Sequence, residues 1–146
     1  MKLLTLEPIQ VDLLLSSMKS IEAGGIVLFS GNTRNSNQGR SVLYLEFESY
    51  EPMAERMIAE IVLEAKKKWN LIDAICVHRL GRVDLGEPAV CIVTSSAHRD
   101  EAYKANQEII NRVKHEVPIW KREFFEDGTI EWGVQCPGCA HESHLK

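Results

Sequence analysis

The sequence lacks any apolar run long enough to cross a membrane, which takes about 20 residues as a helix. Its first residues also lack the apolar core and cleavage site of a signal peptide, so we expect a cytoplasmic protein without membrane contact. An excess of positive charge is missing too, since 17 Lys and Arg against 21 Asp and Glu give a net charge of −4. This balance argues against a nucleic-acid partner. The 146 residues, 45% of them hydrophobic, suffice for one domain with a core or for two small lobes.

Cysteine is scarce, and the four cysteines fall into two groups. Cys76 and Cys91 lie in apolar, strand-like runs and are expected to be reduced core residues. The other two lie in a tail over residues 135–146, which we separate from a domain over residues 1–134. The residue types of this tail suit zinc, but its short spacings leave a disulfide or an unstructured tail open, and we predict no metal site. The potential ligands of the tail are Cys136, Cys139, His141 and His144.

Hydrophobic periodicity predicts an α+β protein with the order β-α-β-β-α-β-β-α-β-β. Two long helices are predicted over residues 52–69 and 98–117, the first with an apolar stripe that begins at Met53. Residues 30–41 contain no apolar side chain, which predicts a polar loop. The remaining expectations are a turn-rich hairpin over residues 81–86 with its partner strand over 89–94, a closing hairpin around Asp127-Gly128, and inward packing of Ile119 and Trp120.

Two lysines flank a proline near the end of the second long helix. Pro118 has no backbone N–H and disfavours helix in the residue before it, so Lys114 is predicted in the last helical turn and Lys121 on the following strand. A chain that reverses in this way can bring both ammonium groups to one cleft. Such a pair suits an anionic substrate or an acid–base lysine, although two solvated lysines would give the same spacing.

Further cationic residues lie where strands or loops end. His98 and Arg99 open the second long helix behind Ser95 or Ser96 as a candidate N-cap, and a helix N-terminus with an imidazole and a guanidinium suits phosphate. Arg34 in the polar loop could cover a bound anion, or it is an ordinary exposed arginine. At the end of an apolar strand, we expect His78 to be packed and hydrogen-bonded and Arg79 to lie in a pocket or an ion pair.

Four motifs occur in order along the chain: Ser30-Gly31-Asn32-Thr33-Arg34, His78-Arg79-Leu80-Gly81, Ser96-Ala97-His98-Arg99 and Val117-Pro118-Ile119-Trp120-Lys121-Arg122-Glu123. In this order and spacing they resemble the family of large, catalytic subunits of molybdopterin synthase over residues 1–134. The resemblance implies an α/β-hammerhead-type lobe plus a second, mostly antiparallel α+β lobe, in a homodimer. It also implies that the enzyme inserts two sulfurs into cyclic pyranopterin monophosphate to form the dithiolene of molybdopterin.

The family further implies the sulfur donor, a small ubiquitin-like subunit whose C-terminal Gly-Gly carries a thiocarboxylate, and no resident cofactor. Lys114 would take the central acid–base or covalent role, and Lys121 would stabilise substrate and intermediates. The substrate-binding residues would be Arg34, Arg79, His98 and Arg99. A non-catalytic module that binds an acidic peptide tail or a nucleotide in the same basic pocket is the alternative, and a zinc-binding regulatory protein is a weaker one.

Overall fold

The computed structural model describes residues 2–133, and the Cys/His tail predicted from the sequence lies outside them. Within this range the chain forms three helices and nine strands, which confirms the α+β class. The helices are α1 (Val11–Ser17), α2 (Glu51–Lys68) and α3 (Arg99–Glu116). The strands are β1 (Leu4–Thr5), β2 (Gly25–Asn32), β3 (Ser36–Asn37), β4 (Arg40–Ser49), β5 (Asp73–Arg79), β6 (Gly81–Asp84), β7 (Pro88–Ser96), β8 (Ile119–Phe125) and β9 (Ile130–Gly133).

The first sheet has four strands in the order β1-β5-β7-β2, and only its β1–β5 pair is parallel. Because side chains alternate along a strand, β7 sends them to both faces, and both faces are covered. Val90 and Ile92 join the main core beneath α2 and α3, while Cys91 and Val93 join a smaller cluster beneath α1. The strand is therefore buried nearly throughout.

The second sheet is antiparallel and is organised around the ten-residue strand β4. Its order is β3-β4-β8-β9, and β6 also pairs with β4. The predicted strand over residues 89–94 lies within β7 and pairs with β5, but the turn-rich segment 81–86 needs correction. It contains β6, which crosses to the second sheet, with Phe47 opposite Gly81. Gly81 has a φ of +77°, a conformation that favours glycine at the point where the chain changes sheets.

Three local expectations need correction. The polar segment 30–41 is not one loop, because β2 extends to Asn32, β3 follows, and β4 begins at Arg40. The apolar stripe predicted for α2 is buried at Ile58, Ile61 and Ala65, but in the first turn Ala54 is buried and Met53 is 39% exposed.

Trp120 is 38% exposed whereas Ile119 is 2% exposed, because neighbouring strand residues point to opposite faces. Ile119 and Lys121 therefore share the inner face of β8. None of the three helices within residues 2–133 is both long and apolar enough to cross a membrane.

Candidate active site

The predicted reversal brings the two lysines to one cavity. Lys114 lies in the last turn of α3, and Val117 ends the helix in an extended conformation, with φ −82° and ψ 133°. After Pro118, β8 begins and places Lys121 on its inner face, opposite Phe47 of β4. Lys114 and Lys121 both line a cavity of about 40 Å³ between α3 and the two sheets. Such a volume holds little more than a water-sized group.

The cavity has an apolar wall and one further titratable group. The apolar lining comes from three elements: β4 contributes Phe47, β7 contributes Val90, and α3 contributes Ile110 and Val113. His78 of β5 is the additional polar residue, and Phe47 packs against its ring edge-to-face at 5.0 Å between centroids. Lys114 itself is exposed and Lys121 is partly buried, so the apolar wall shields the lysines from water only in part.

His78 is buried and held in one orientation. Its Nδ1 lies 2.8 Å from the carbonyl oxygen of Arg79, and because that oxygen only accepts, Nδ1 carries the proton and Nε2 holds the lone pair. Burial lowers the pKa of His78 to about 4, the Arg79 carbonyl opposes this, and the Lys114 ammonium lowers the pKa further. The prediction of a packed, hydrogen-bonded histidine is confirmed. The sequence did not indicate that the ring borders the lysine cavity.

Lys121 has an acidic neighbour that the sequence analysis missed. Its Nζ lies 3.4 Å from Oε1 of Glu123, whose side chain is 7% exposed. Glu123 also accepts two hydrogen bonds from Nδ2 of Asn37, at 3.0 Å to Oε1 and 2.9 Å to Oε2. The available signal was the two-residue spacing of Lys121 and Glu123, which places both on one face of a strand. Nothing in the sequence pointed to Asn37, 86 residues away.

Arg79 forms an ion pair and does not line the lysine cavity. Its Nη1 lies 2.8 Å from Oε1 of Glu87, and the Arg79 side chain is only 10% exposed. A hydrogen bond from the backbone N–H of Asp84 lowers the pKa of Glu87, and the pair with Arg79 lowers it further. Nε of Arg79 is buried and has no hydrogen-bond partner within residues 2–133. Of the two settings predicted for Arg79, the ion pair is the one that occurs.

Arg34 is exposed in the short connection between β2 and β3. The preceding residue, Thr33, is buried, donates its N–H to the Glu87 carbonyl and accepts a hydrogen bond from the Gly86 N–H. Since Glu87 also binds Arg79, this end of the first sheet places Arg34 and Arg79 in neighbouring segments. The predicted lid residue therefore stands on a loop whose base is fixed by backbone hydrogen bonds.

His98 and Arg99 lie at the far end of α3 from the lysines. His98 is the N-cap and makes no side-chain capping bond, and Arg99 is the first helical residue. The predicted serine cap is thus replaced by His98, while Ser96 on β7 accepts the Ala102 N–H at 3.1 Å. An α-helix rises about 1.5 Å per residue, so Arg99 and Lys114 lie roughly 22 Å apart along α3.

Small residues let β2 pack against this helix start. A Cβ on Gly24 would collide with the Ala97 carbonyl, and one on Gly25 would lie 3.0 Å from Cα of Arg99. The first turn also carries Asp100 and Glu101, which interact favourably with the N-terminal end of the helix dipole. Any anion at this end must therefore be held mainly by the His98 and Arg99 side chains.

Comparison with known proteins gives a consistent result. The MoaE protein family matches residues 4–116. The molybdopterin synthase catalytic subunit of Bacillus subtilis is 44% identical over 138 residues, which cover 94% of this chain and 88% of the relative. The X-ray crystal structure of molybdopterin synthase from Staphylococcus aureus matches with a TM-score of 0.83 at 40% identity, covering 89% of this chain and 94% of that one.

A more distant match comes from a protein–protein complex of subunits 1 and 2 of molybdopterin-converting factor from Helicobacter pylori 26695. It has a TM-score of 0.74 and covers 89% of this chain and 88% of that chain. At 20% identity, this match shows a shared fold alone.

Proposed function

The chain belongs to the MoaE protein family, the family of molybdopterin synthase catalytic subunits, and from this premise we propose the reaction that it performs. It inserts two sulfur atoms into cyclic pyranopterin monophosphate and so forms the dithiolene of molybdopterin. The sulfur is delivered as the C-terminal thiocarboxylate of a small ubiquitin-like subunit. The observation that carries this proposal is the meeting of Lys114 and Lys121, from two elements, at one small, partly apolar cavity.

The size of the cavity fits the end of an extended tail. A space of about 40 Å³ cannot hold a pterin, so the ring system would lie at the mouth and only the reacting group would enter. A Gly-Gly tail suits this approach because it has no side chains to obstruct it. The thiocarboxylate is anionic, and two ammonium groups stabilise an anion that is bound or develops there.

Lys114 and Lys121 have different surroundings, which supports different roles. Lys114 borders the neutral His78 ring at the end of α3, and we assign it the acid–base or covalent role in opening the cyclic precursor. Lys121 is held beside the Glu123 carboxylate, and we assign it to binding and stabilising the substrate and its intermediates. Arg34 and Arg79 stand at the same end of the first sheet as His78, where they can contribute to an anionic substrate.

His98 and Arg99 fit the proposal only in a homodimer. One pterin cannot contact both ends of α3 across roughly 22 Å. If these residues hold the phosphate of the substrate that reacts at Lys114, they come from a second copy of the chain. The proposed assembly is therefore a homodimer with one small subunit at each of two sites, each site completed by both copies.

The first experiment supplies the protein with thiocarboxylated small subunit and pterin precursor and measures dithiolene formation. Lys114→Ala should reduce turnover by at least about 100-fold, the scale of lost acid–base catalysis. Lys104→Ala, an exposed lysine on the same helix, is the matched control and should leave turnover unchanged. Near-normal turnover of Lys114→Ala would refute the catalytic assignment. Normal tail binding without any turnover by the unmodified protein would instead support a binding module.

The second experiment tests the shared site by mixing two inactive variants. One carries Lys114→Ala and the other carries both His98→Ala and Arg99→Ala. If each site draws on two copies, a mixed dimer has one intact site, and random exchange should restore about a quarter of wild-type turnover. Failure to restore activity in dimers shown to have exchanged would overturn the shared site, while the role of Lys114 would stand.

A further inference from the structure

A buried carboxylate lies between Lys121 and an amide from another part of the second sheet. Glu123 is 5% exposed and shares the inner face of β8 with Lys121. Its Oε1 contacts Nζ of Lys121 at 3.4 Å, and both its oxygens accept from Nδ2 of Asn37. An amide that binds both oxygens fixes the plane of the carboxylate as well as its position. The ammonium therefore meets an anion whose orientation is set by β3.

The opposite side of Lys121 is bordered by a glycine. Gly133 of β9 stands directly across from Lys121 in the sheet register. A Cβ at Gly133 would lie 2.5 Å from Cε and 2.9 Å from Cγ of Lys121, and 3.0 Å from Oε1 of Glu123. The lysine stem therefore occupies space that any side chain at this position would take. Since the stem is flexible and the strand backbone is not, a substitution here would displace the lysine.

We propose that Asn37 and Gly133 are positioning residues for Lys121, Asn37 by orienting the Glu123 carboxylate and Gly133 by leaving room for the lysine stem. This inference rests on the proposed catalytic role of Lys121. A lysine side chain has four rotatable carbon–carbon bonds and makes no fixed fork of hydrogen bonds, so its ammonium needs outside groups to hold one place. Displacement of a catalytic group by about 1 Å is enough to slow a reaction severely.

The arrangement also links Lys121 to the segment that carries Arg34. Asn37 follows Arg34 by three residues and pairs with Arg40 across the β3–β4 turn. A shift of this segment would therefore move the amide that orients Glu123. The segment proposed to cover the substrate is thus connected to Lys121 through the hydrogen bonds between Asn37 and Glu123.

The test measures kcat and KM for dithiolene formation in the complete complex. Asn37→Ala should lower kcat about tenfold and change the KM for the precursor by less than about twofold, because a misplaced Lys121 ammonium stabilises the reaction intermediates less well while it still attracts the anionic substrate. Gly133→Ala, in a different strand, should give the same pattern. Asn35→Ala, exposed in the same segment, is the control and should match the wild type. Thermal unfolding of each variant confirms that it is folded.

Double variants separate positioning from a general structural effect. If Asn37 acts through Lys121, adding Asn37→Ala to Lys121→Ala should cause no further loss of kcat. Independent, multiplying losses would overturn the inference, as would wild-type kcat in folded Asn37→Ala when Lys121→Ala is impaired. Normal turnover in Lys121→Ala itself would instead refute the catalytic role proposed for that lysine, so the two failures are distinguishable.

Discussion

Replacing His78 with asparagine tests whether the fold holds this imidazole neutral. The pKa of His78 is about 4 in the folded protein, against 6.5 for an ordinary histidine, chiefly because the ring is buried. At a pH between these two pKa values, His78 is protonated in the unfolded chain and neutral in the folded chain. The contribution of His78 to stability is therefore complete above pH 6.5 and is lost as the pH falls toward 4. At 1.36 kcal/mol per pKa unit, the loss is about 3 kcal/mol.

Asparagine is the informative substitution because its amide can occupy the position of Nδ1 and donate to the Arg79 carbonyl without titrating. His78→Asn will be less stable at neutral pH, since it leaves space beside Phe47. Its free energy of unfolding should nevertheless fall about 3 kcal/mol less than that of the wild type between pH 7 and pH 4. Comparing the two proteins removes the contributions of carboxylates that titrate in both.

The measurement is urea unfolding of the wild type and of His78→Asn at several pH values between about 7 and about 4. A direct check is the NMR titration of the His78 ring, which should stay neutral down to about pH 4. Equal pH slopes for the wild type and His78→Asn, or a His78 midpoint above pH 6, would refute the reasoning.

Two further predictions concern the core beneath α3. Asn106 is 4% exposed and its amide donates to backbone carbonyls of both β2 and β7 at 3.1 Å, so Asn106→Ala should cost about 2–3 kcal/mol of unfolding free energy. A loss below about 0.5 kcal/mol in chemical denaturation would contradict this account. Burial raises the pKa of the Cys76 thiol to about 12, so Cys76 should resist alkylation until the protein unfolds. Peptide mapping that finds it modified in the native protein would show that the site is accessible.

Local rules in the sequence predict the position of each lysine. Pro118 marks the end of a helix and the start of a strand, and the structure places Lys114 and Lys121 on either side of it as predicted. The separation between Arg99 and Lys114 also follows from the sequence, because a helix predicted over residues 98–117 already implies roughly 22 Å.

The contact between Glu123 and Asn37 was beyond prediction for a different reason. Asn37 and Glu123 are 86 residues apart, and their meeting depends on β3 and β8 flanking the same strand, β4. Hydrophobic periodicity indicates which face of a helix or strand is buried. A polar segment such as 30–41 has no apolar residues from which such a pattern could be predicted. The same limit explains why the pairing of β6 was not predicted. This four-residue strand pairs with Phe47 and its neighbours in the second sheet.

The acid sensitivity of His78 and the chemistry of the cavity have the same cause. A protonated His78 would add a third positive charge beside Lys114 and Lys121, and it would have no lone pair, since Nδ1 already donates to Arg79. Burial between Phe47 and α3 prevents this at neutral pH, at a cost in stability that is felt only in acid. The neutral ring thus borders the cavity that Lys114 and Lys121 also line. The burial that makes the fold acid-sensitive is therefore also what keeps His78 uncharged, so that the cationic side chains lining the cavity at neutral pH are Lys114 and Lys121.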